Sequence, residues 1–180
     1  MFIIEYLWFF LPAGIANMMP VFMRKKFEFL NVPIDGGKTF KGKRILGSNK
    51  TWRGLIFGTL ISIIIVFVQT YLYNNFESFR NISIVPYNEH NFVLLGFLIG
   101  FGALLGDLVK SFFKRQVGHE PGKRFFPFDQ VDFVLGFLAL TSIVYRPIWQ
   151  VYVFLIIFVP ILHILANRIG YYLGIQKEKW

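Results

Sequence analysis

Residues 107–132 read DLVKSFFKRQVGHEPGKRFFPFDQVD and join two apolar stretches, 92–109 and 131–145. Charges this dense beside long apolar runs are not a lipid-facing surface, because an unpaired charge in hydrocarbon is expensive. A second segment of the same character, 24–53, carries PIDGGKTFKGKRILGSNKTWRG at residues 33–54. Two basic, glycine-bearing loops between apolar spans describe a membrane protein. Its polar site lies at the membrane face and is suited to hold a polyanion with the help of a cation.

Composition agrees. The chain of 180 residues is 55% hydrophobic and 19% aromatic, with mean hydropathy +0.54, too apolar for an ordinary soluble domain of this length. It has no cysteine, which excludes disulfides, thiolate metal sites and a cysteine nucleophile. The net charge of +9 records topology and anionic lipid contacts in such a protein, not nucleic-acid binding.

The fold class read from the sequence is an all-α integral membrane protein, a single domain over residues 1–180. Five apolar stretches, at about 2–23, 55–73, 92–109, 131–145 and 148–166, each predict a transmembrane helix. The first has Pro12, Gly14 and Asn17 in its middle and no small-residue cleavage site after it, so it is expected to be a span and not a signal peptide. The fourth is short: 15 residues rise only about 23 Å. Either the bilayer thins there, or that helix starts below the headgroups in a polar cavity.

Seventeen of the nineteen Lys and Arg residues fall in loops 24–53 and 110–130 or after residue 166. That asymmetry places both loops and the C-terminus in the cytoplasm and the N-terminus outside. Small residues repeat at four-residue spacing: Gly54 and Gly58, Gly96 and Gly100, Gly102 and Gly106. They predict close helix packing; the last pair could also leave room for a ligand beside Asp107.

Asp107 closes the third span, and on a continuing helix Ser111, Lys114 and Arg115 share its face. An intrahelical Asp–Lys pair is the structural alternative, but an acid at the end of an apolar span is costly without a task. Asp129 and Asp132, at i and i+3, can face one cation, and such oxygen ligands suit Mg²⁺ beside substrate phosphates. Capping of a helix N-terminus is the alternative for Asp129; it explains Asp132, one turn into an apolar run, less well. In the first loop Lys38, Lys41, Lys43, Arg44, Lys50 and Arg53 stand among four glycines and offer phosphate contacts. Attraction to anionic lipid is the alternative for each lysine, whereas Asn49, Thr51 and Trp52 are not needed for electrostatics. GKRILGSNKT at 42–51 only imitates a P-loop, with two extra residues before Lys50 and no preceding strand. His119 and Glu120 could ligate a metal or act as a base, although loop residues of this kind are often incidental. Asn17 either lines a lipid path or pins helices together.

The segments LPAGIANMMPV at 11–21, PIDGGKTFKGKRILGSNKTWRG and GALLGDLVKSFFKR…PG…FDQVDFVLG together resemble the archaeal CDP-archaeol synthases. These form a branch of the CDP-diacylglycerol synthase family of membrane cytidylyltransferases. The resemblance covers almost the whole chain. The wider family's S-x-x-K-R and D-x-x-D signature corresponds here to Ser111, Lys114 and Arg115, then Asp129 and Asp132. The chain lacks the Lys-Asp pair that follows the first motif in the diacylglycerol branch, has Gln130 between the paired acids, and has fewer spans. The first two departures are shared with the archaeol branch.

The resemblance implies an enzyme of the cell membrane with its active site at the cytoplasmic face. CTP and an isoprenoid ether lipid phosphate would give CDP-archaeol and pyrophosphate. It implies Mg²⁺ on Asp107, Asp129 and Asp132, with Lys114 and Arg115 in catalysis. It implies CTP or phosphate contacts from Lys38, Lys43, Arg44, Asn49, Lys50, Thr51, Trp52, Arg53, Ser111 and Gly122, and lipid contact from Asn17. Two alternatives stand beside it. One is the same transfer onto another lipid, such as phosphatidic acid. The other is a non-catalytic membrane protein or transporter, which should place its ionisable groups mid-span, whereas here the acids cluster at the helix ends.

Overall fold

The computed structural model describes residues 2–119, 125 and 127–174. Among these residues six α-helices carry the fold: α1 (Phe2–Phe22), α2 (Trp52–Asn75), the short α3 (Glu77–Asn81), α4 (Phe92–Gln116), α5 (Phe128–Thr141) and α6 (Trp149–Tyr172). Three of these, α1, α2 and α4, are long and apolar enough to cross a membrane. Among the described residues, α6 contributes the shorter apolar stretch Trp149–Leu162. The 14 residues of α5 rise about 21 Å.

Local chemistry sets the boundaries. The Thr51 hydroxyl accepts from the Gly54 N–H and starts α2 three residues earlier than hydropathy predicts. Asn91 caps α4, its side chain accepting from the Val93 and Leu94 N–H groups, and the helix starts at Phe92 as hydropathy predicts. Hydropathy fades after Val109, but α4 runs on to Gln116, so one straight helix carries Asp107, Ser111, Lys114 and Arg115 out of the apolar layer. α5 begins at Phe128 with Pro127 as its cap residue. Asp129 therefore lies inside the first turn and is not the cap.

α4 is the hub, packing against α1, α2 and α5, while α6 packs on α5. The repeated glycines make these crossings possible. A Cβ on Gly96 would fall 2.6 Å from Ile63 Cα, one on Gly58 2.8 Å from the Ala16 carbonyl oxygen, and one on Gly102 2.8 Å from that of Gly136. Gly106 abuts the Asp132 backbone, so the space beside it is filled by α5. Phe9, Ile99, Phe137, Val151 and Leu155 form the buried core. Ile64, Phe67, Phe97 and Ile157 point outward and are exposed, as an apolar surrounding requires.

One element departs from the all-helical expectation. Thr39–Phe40 (β1) pairs antiparallel with Lys43–Arg44 (β2) in the first loop. Lys41 and Gly42 both have positive φ, 50° and 77°, the backbone twist that a two-residue hairpin turn demands. Strands of two residues are too short to leave a periodic signal.

Candidate active site

The close α4–α5 crossing brings three carboxylates to one ammonium. Lys110 Nζ lies 3.1 Å from Asp107 Oδ1, 2.9 Å from Asp129 Oδ1 and 3.0 Å from Asp132 Oδ2. Lys114, one turn on, reaches the Asp129 carboxylate at 3.0 and 3.2 Å. From the first loop Lys50 donates to Asp107. Asp129 also accepts from the Phe125 N–H at 2.6 Å. The cluster is largely enclosed: the side chains of Asp132 and Lys114 are 5% and 8% exposed.

The first loop is held over this end of α4. Asp35, buried in the loop, accepts from both sides of the Arg44 guanidinium at 2.7 and 3.2 Å. It also takes the N–H groups of Gly37, Leu46 and Gly47. The Arg44 guanidinium, helped by those N–H groups, holds the Asp35 carboxyl well below the usual carboxylate range despite its burial. The loop then docks through Lys43 Nζ on the Gln116 carbonyl, Gln116 on the Arg44 carbonyl and the Phe40 and Phe112 rings, 6.0 Å apart. Between loop and bundle a small cleft opens to solvent. Pro20, Leu55, Leu104 and Leu108 give it apolar walls, and Asn49, Lys50, Thr51 and Asp107 a polar end.

The residues singled out in the sequence thus separate by geometry. Asp107, Asp129, Asp132, Lys50 and Lys114 come together, and Ser111 and Arg115 are buried on the same stretch of α4. Arg115 donates to the His119 carbonyl, and the His119 ring packs on Phe125 at 5.1 Å. Arg44 is committed to Asp35. Arg53 is buried and donates to the Lys26 carbonyl at 2.9 Å and to Asn31 Oδ1 at 3.0 Å. Thr51 caps α2 as well as lining the cleft. Lys38 and Trp52 are exposed, and Asn17 is half-buried on α1, one turn before Pro20. Gly122 and Glu120 lie outside the described residues. Two residues of the site, Lys110 and Asp35, are not marked by any motif. Their faint signals are the i, i+3 spacing of Lys110 from Asp107 and the Asp-Gly-Gly turn that Asp35 opens.

Among the described residues, no group of three or more His, Cys, Asp or Glu side chains is arranged to hold a metal ion as it stands. The three carboxylates of the cluster close on Lys110 instead. Their donor set is all carboxylate oxygen, which suits a hard divalent cation once that ammonium gives way.

Residues 1–180 match the CarS-like family, described as CDP-archaeol synthase. A CDP-archaeol synthase of Archaeoglobus fulgidus is 37% identical, over 99% of this chain and 98% of its own length. That of Methanospirillum hungatei is 38% identical over 91% of this chain and all of its own. A solved structure of an intramembrane enzyme for archaeal membrane lipids biosynthesis superposes with TM-score 0.66 at 29% identity, covering 89% of this chain and 91% of that one. With a family match over its full length and its helices superposing on an enzyme of this kind, the chain belongs to the CDP-archaeol synthase family, membrane-embedded cytidylyltransferase-type enzymes of lipid biosynthesis.

Proposed function

We propose that this protein transfers CMP from CTP to an isoprenoid dialkylglycerol phosphate, giving CDP-archaeol and pyrophosphate, with the α4–α5 carboxylate cluster as the reaction centre. The observation that carries the reading is the meeting of Asp107, Asp129 and Asp132 with Lys50, Lys110 and Lys114 at one end of an apolar bundle. Family membership sets aside the non-catalytic reading. The arrangement is read as one domain over 1–180 with five spans, α5 being the short one, whose first turn starts in a polar cavity. The Lys and Arg asymmetry supports an external N-terminus and a site at the cytoplasmic face, where CTP is available.

In the reaction a lipid phosphate oxygen attacks the α-phosphorus of CTP. The bond from that phosphorus to the oxygen bridging the α- and β-phosphates breaks, and the electron pair leaves with pyrophosphate. The attacking phosphate is ionised near neutral pH, so no general base is required. Transfers of this kind depend on positioning and on neutralising charge. Asp107, Asp129 and Asp132 would hold Mg²⁺, which when bound neutralises phosphate charge and fixes the triphosphate. Lys50 and Lys114 stand beside these carboxylates, placed to pair with phosphate oxygens as negative charge moves to the leaving group. Arg115 lies one residue further along α4. Arg44 and Arg53 act through the loop they hold, which presents Asn49 and Lys50. The half-apolar cleft below Lys50, with Pro20 and Leu104 on its apolar wall, marks the side from which the lipid acceptor would approach.

The test is an assay of purified protein in detergent with labelled CTP and Mg²⁺, offered a geranylgeranyl ether phosphate and phosphatidic acid side by side. Labelled CDP-lipid from the ether phosphate is the expected result. Product from phosphatidic acid alone would keep the chemistry and change the lipid. No product from either would refute the proposal.

A further inference from the structure

Among the described residues Lys110 is the cation that meets all three carboxylates of the cluster. An ammonium has three N–H donors, and Lys110 Nζ lies within 3.1 Å of three different carboxylates, two of them on another helix. With Lys50 on Asp107 and Lys114 on Asp129, these three carboxylates face three ammonium groups. The set is therefore balanced before any metal or nucleotide is present. A bare dication entering it would leave the set with excess positive charge in a partly buried place, where charge is costly. A dication carried by a triphosphate brings its own negative charge, and the lysines can then pair with phosphate oxygens.

We propose that Lys110 is the resident cation of the Asp107–Asp129–Asp132 triad, a positioning residue that keeps bare divalent metal out and yields to a metal–triphosphate complex. The inference rests on the proposed metal role of those three acids. Its side chain is 13% exposed, and its four-carbon stem lets the ammonium turn from the carboxylates toward an incoming phosphate. Lys110 thereby couples metal entry to nucleotide entry without touching the reacting phosphorus.

The experiment titrates Mn²⁺ into the purified full-length protein without nucleotide, following the free aqueous ion by electron paramagnetic resonance. Wild type is expected to bind weakly. Lys110→Met, which keeps length and removes the charge, is expected to bind at least about tenfold more tightly, because a dication no longer meets a unit positive charge at close range. Lys110→Arg should stay near wild type, and adding Asp132→Asn to Lys110→Met should abolish the gain. A Lys110→Met protein that folds and binds Mn²⁺ no better than wild type overturns the role of Lys110, while Mn²⁺ binding that still needs Asp132 leaves the metal reading standing. Binding that ignores Asp132 in every variant, or no binding in any, overturns the metal reading and this inference together.

Discussion

The two ends of the helix bundle treat buried polarity in opposite ways. At one end the buried polar groups are neutral, and a chain of hydrogen bonds links three of them, although Trp8 Nε1 and Thr141 Oγ1 lie buried there without a partner among the described residues. Tyr87 Oη donates to Gln69 Oε1 at 3.0 Å, and Gln69 Nε2 donates to the Trp8 carbonyl at 2.7 Å. Tyr145 Oη donates to the Ile84 carbonyl in the same region. At the other end six charged side chains crowd between α4, α5 and the first loop. Neutral hydrogen bonds fix helices in place at modest net gain. Buried ion pairs are a poor route to stability, since desolvation offsets most of the attraction. A protein that closes one end with tyrosine and glutamine and fills the other with Asp and Lys holds its fold at the first, and on the proposed function keeps charge for a substrate at the second.

The comparison is sharpened most by Asp132→Asn. It keeps the shape of a residue packed beside Gly106 while removing one of the three carboxylates. Turnover with CTP and ether lipid phosphate is expected to fall at least about 10²-fold in the folded protein, while Lys110 keeps Asp107 and Asp129; two carboxylates then face three ammonium groups, so some stability is lost as well. Gly106→Val probes what brings the two halves of the site together. Its side chain would press on the α5 backbone at Asp132, so a loss of about 1–3 kcal/mol is expected from overpacking, with activity lost in the protein that remains folded. Both are measurable by thermal unfolding in detergent alongside turnover.

The neutral end should give the reverse pattern. Gln69→Leu leaves the Tyr87 hydroxyl buried without its acceptor and the Trp8 carbonyl without its donor, a cost of about 1–3 kcal/mol. Turnover per folded molecule should stay within about twofold, a margin set by the small coupling expected between distant sites. The smallest effect belongs to the first loop. The Asp35 carboxyl titrates below its unfolded value, so its contribution is fully present above about pH 4 and fades as pH falls toward the folded value. Limited proteolysis within residues 33–51 should therefore accelerate on acidification below about pH 4. Asp35→Asn should show faster cleavage already at neutral pH and lose the pH dependence.

Much of this molecule was legible before any coordinates. The apolar stretches located all the long helices, because hydrocarbon imposes a length and a composition. The i, i+3 acids and the S-x-x-K-R motif marked the cluster, because side chains at those spacings share a helix face. Lys110 was hidden by its surroundings. In the sequence it is one of the charges that set topology, and only the α4–α5 crossing, permitted by Gly102, Gly106 and Gly136, brings it to three acids at once. Asp35 was hidden for the opposite reason, as one acid among nine basic residues in loop 24–53. Its role depends on how the chain folds back at Leu46 and Gly47. The fate of Arg44 and Arg53 was also out of reach, since sequence cannot distinguish a guanidinium free for phosphate from one that ties a loop.

The most direct test sets Asp132→Asn and Gln69→Leu side by side, with labelled-CTP turnover and thermal unfolding read on the same preparations. Asp132→Asn is expected to be all but inactive while still folded, and Gln69→Leu to melt earlier and turn over normally while folded. An Asp132→Asn protein with near-normal turnover would contradict it, because the carboxylate cluster could not then be where CMP is transferred.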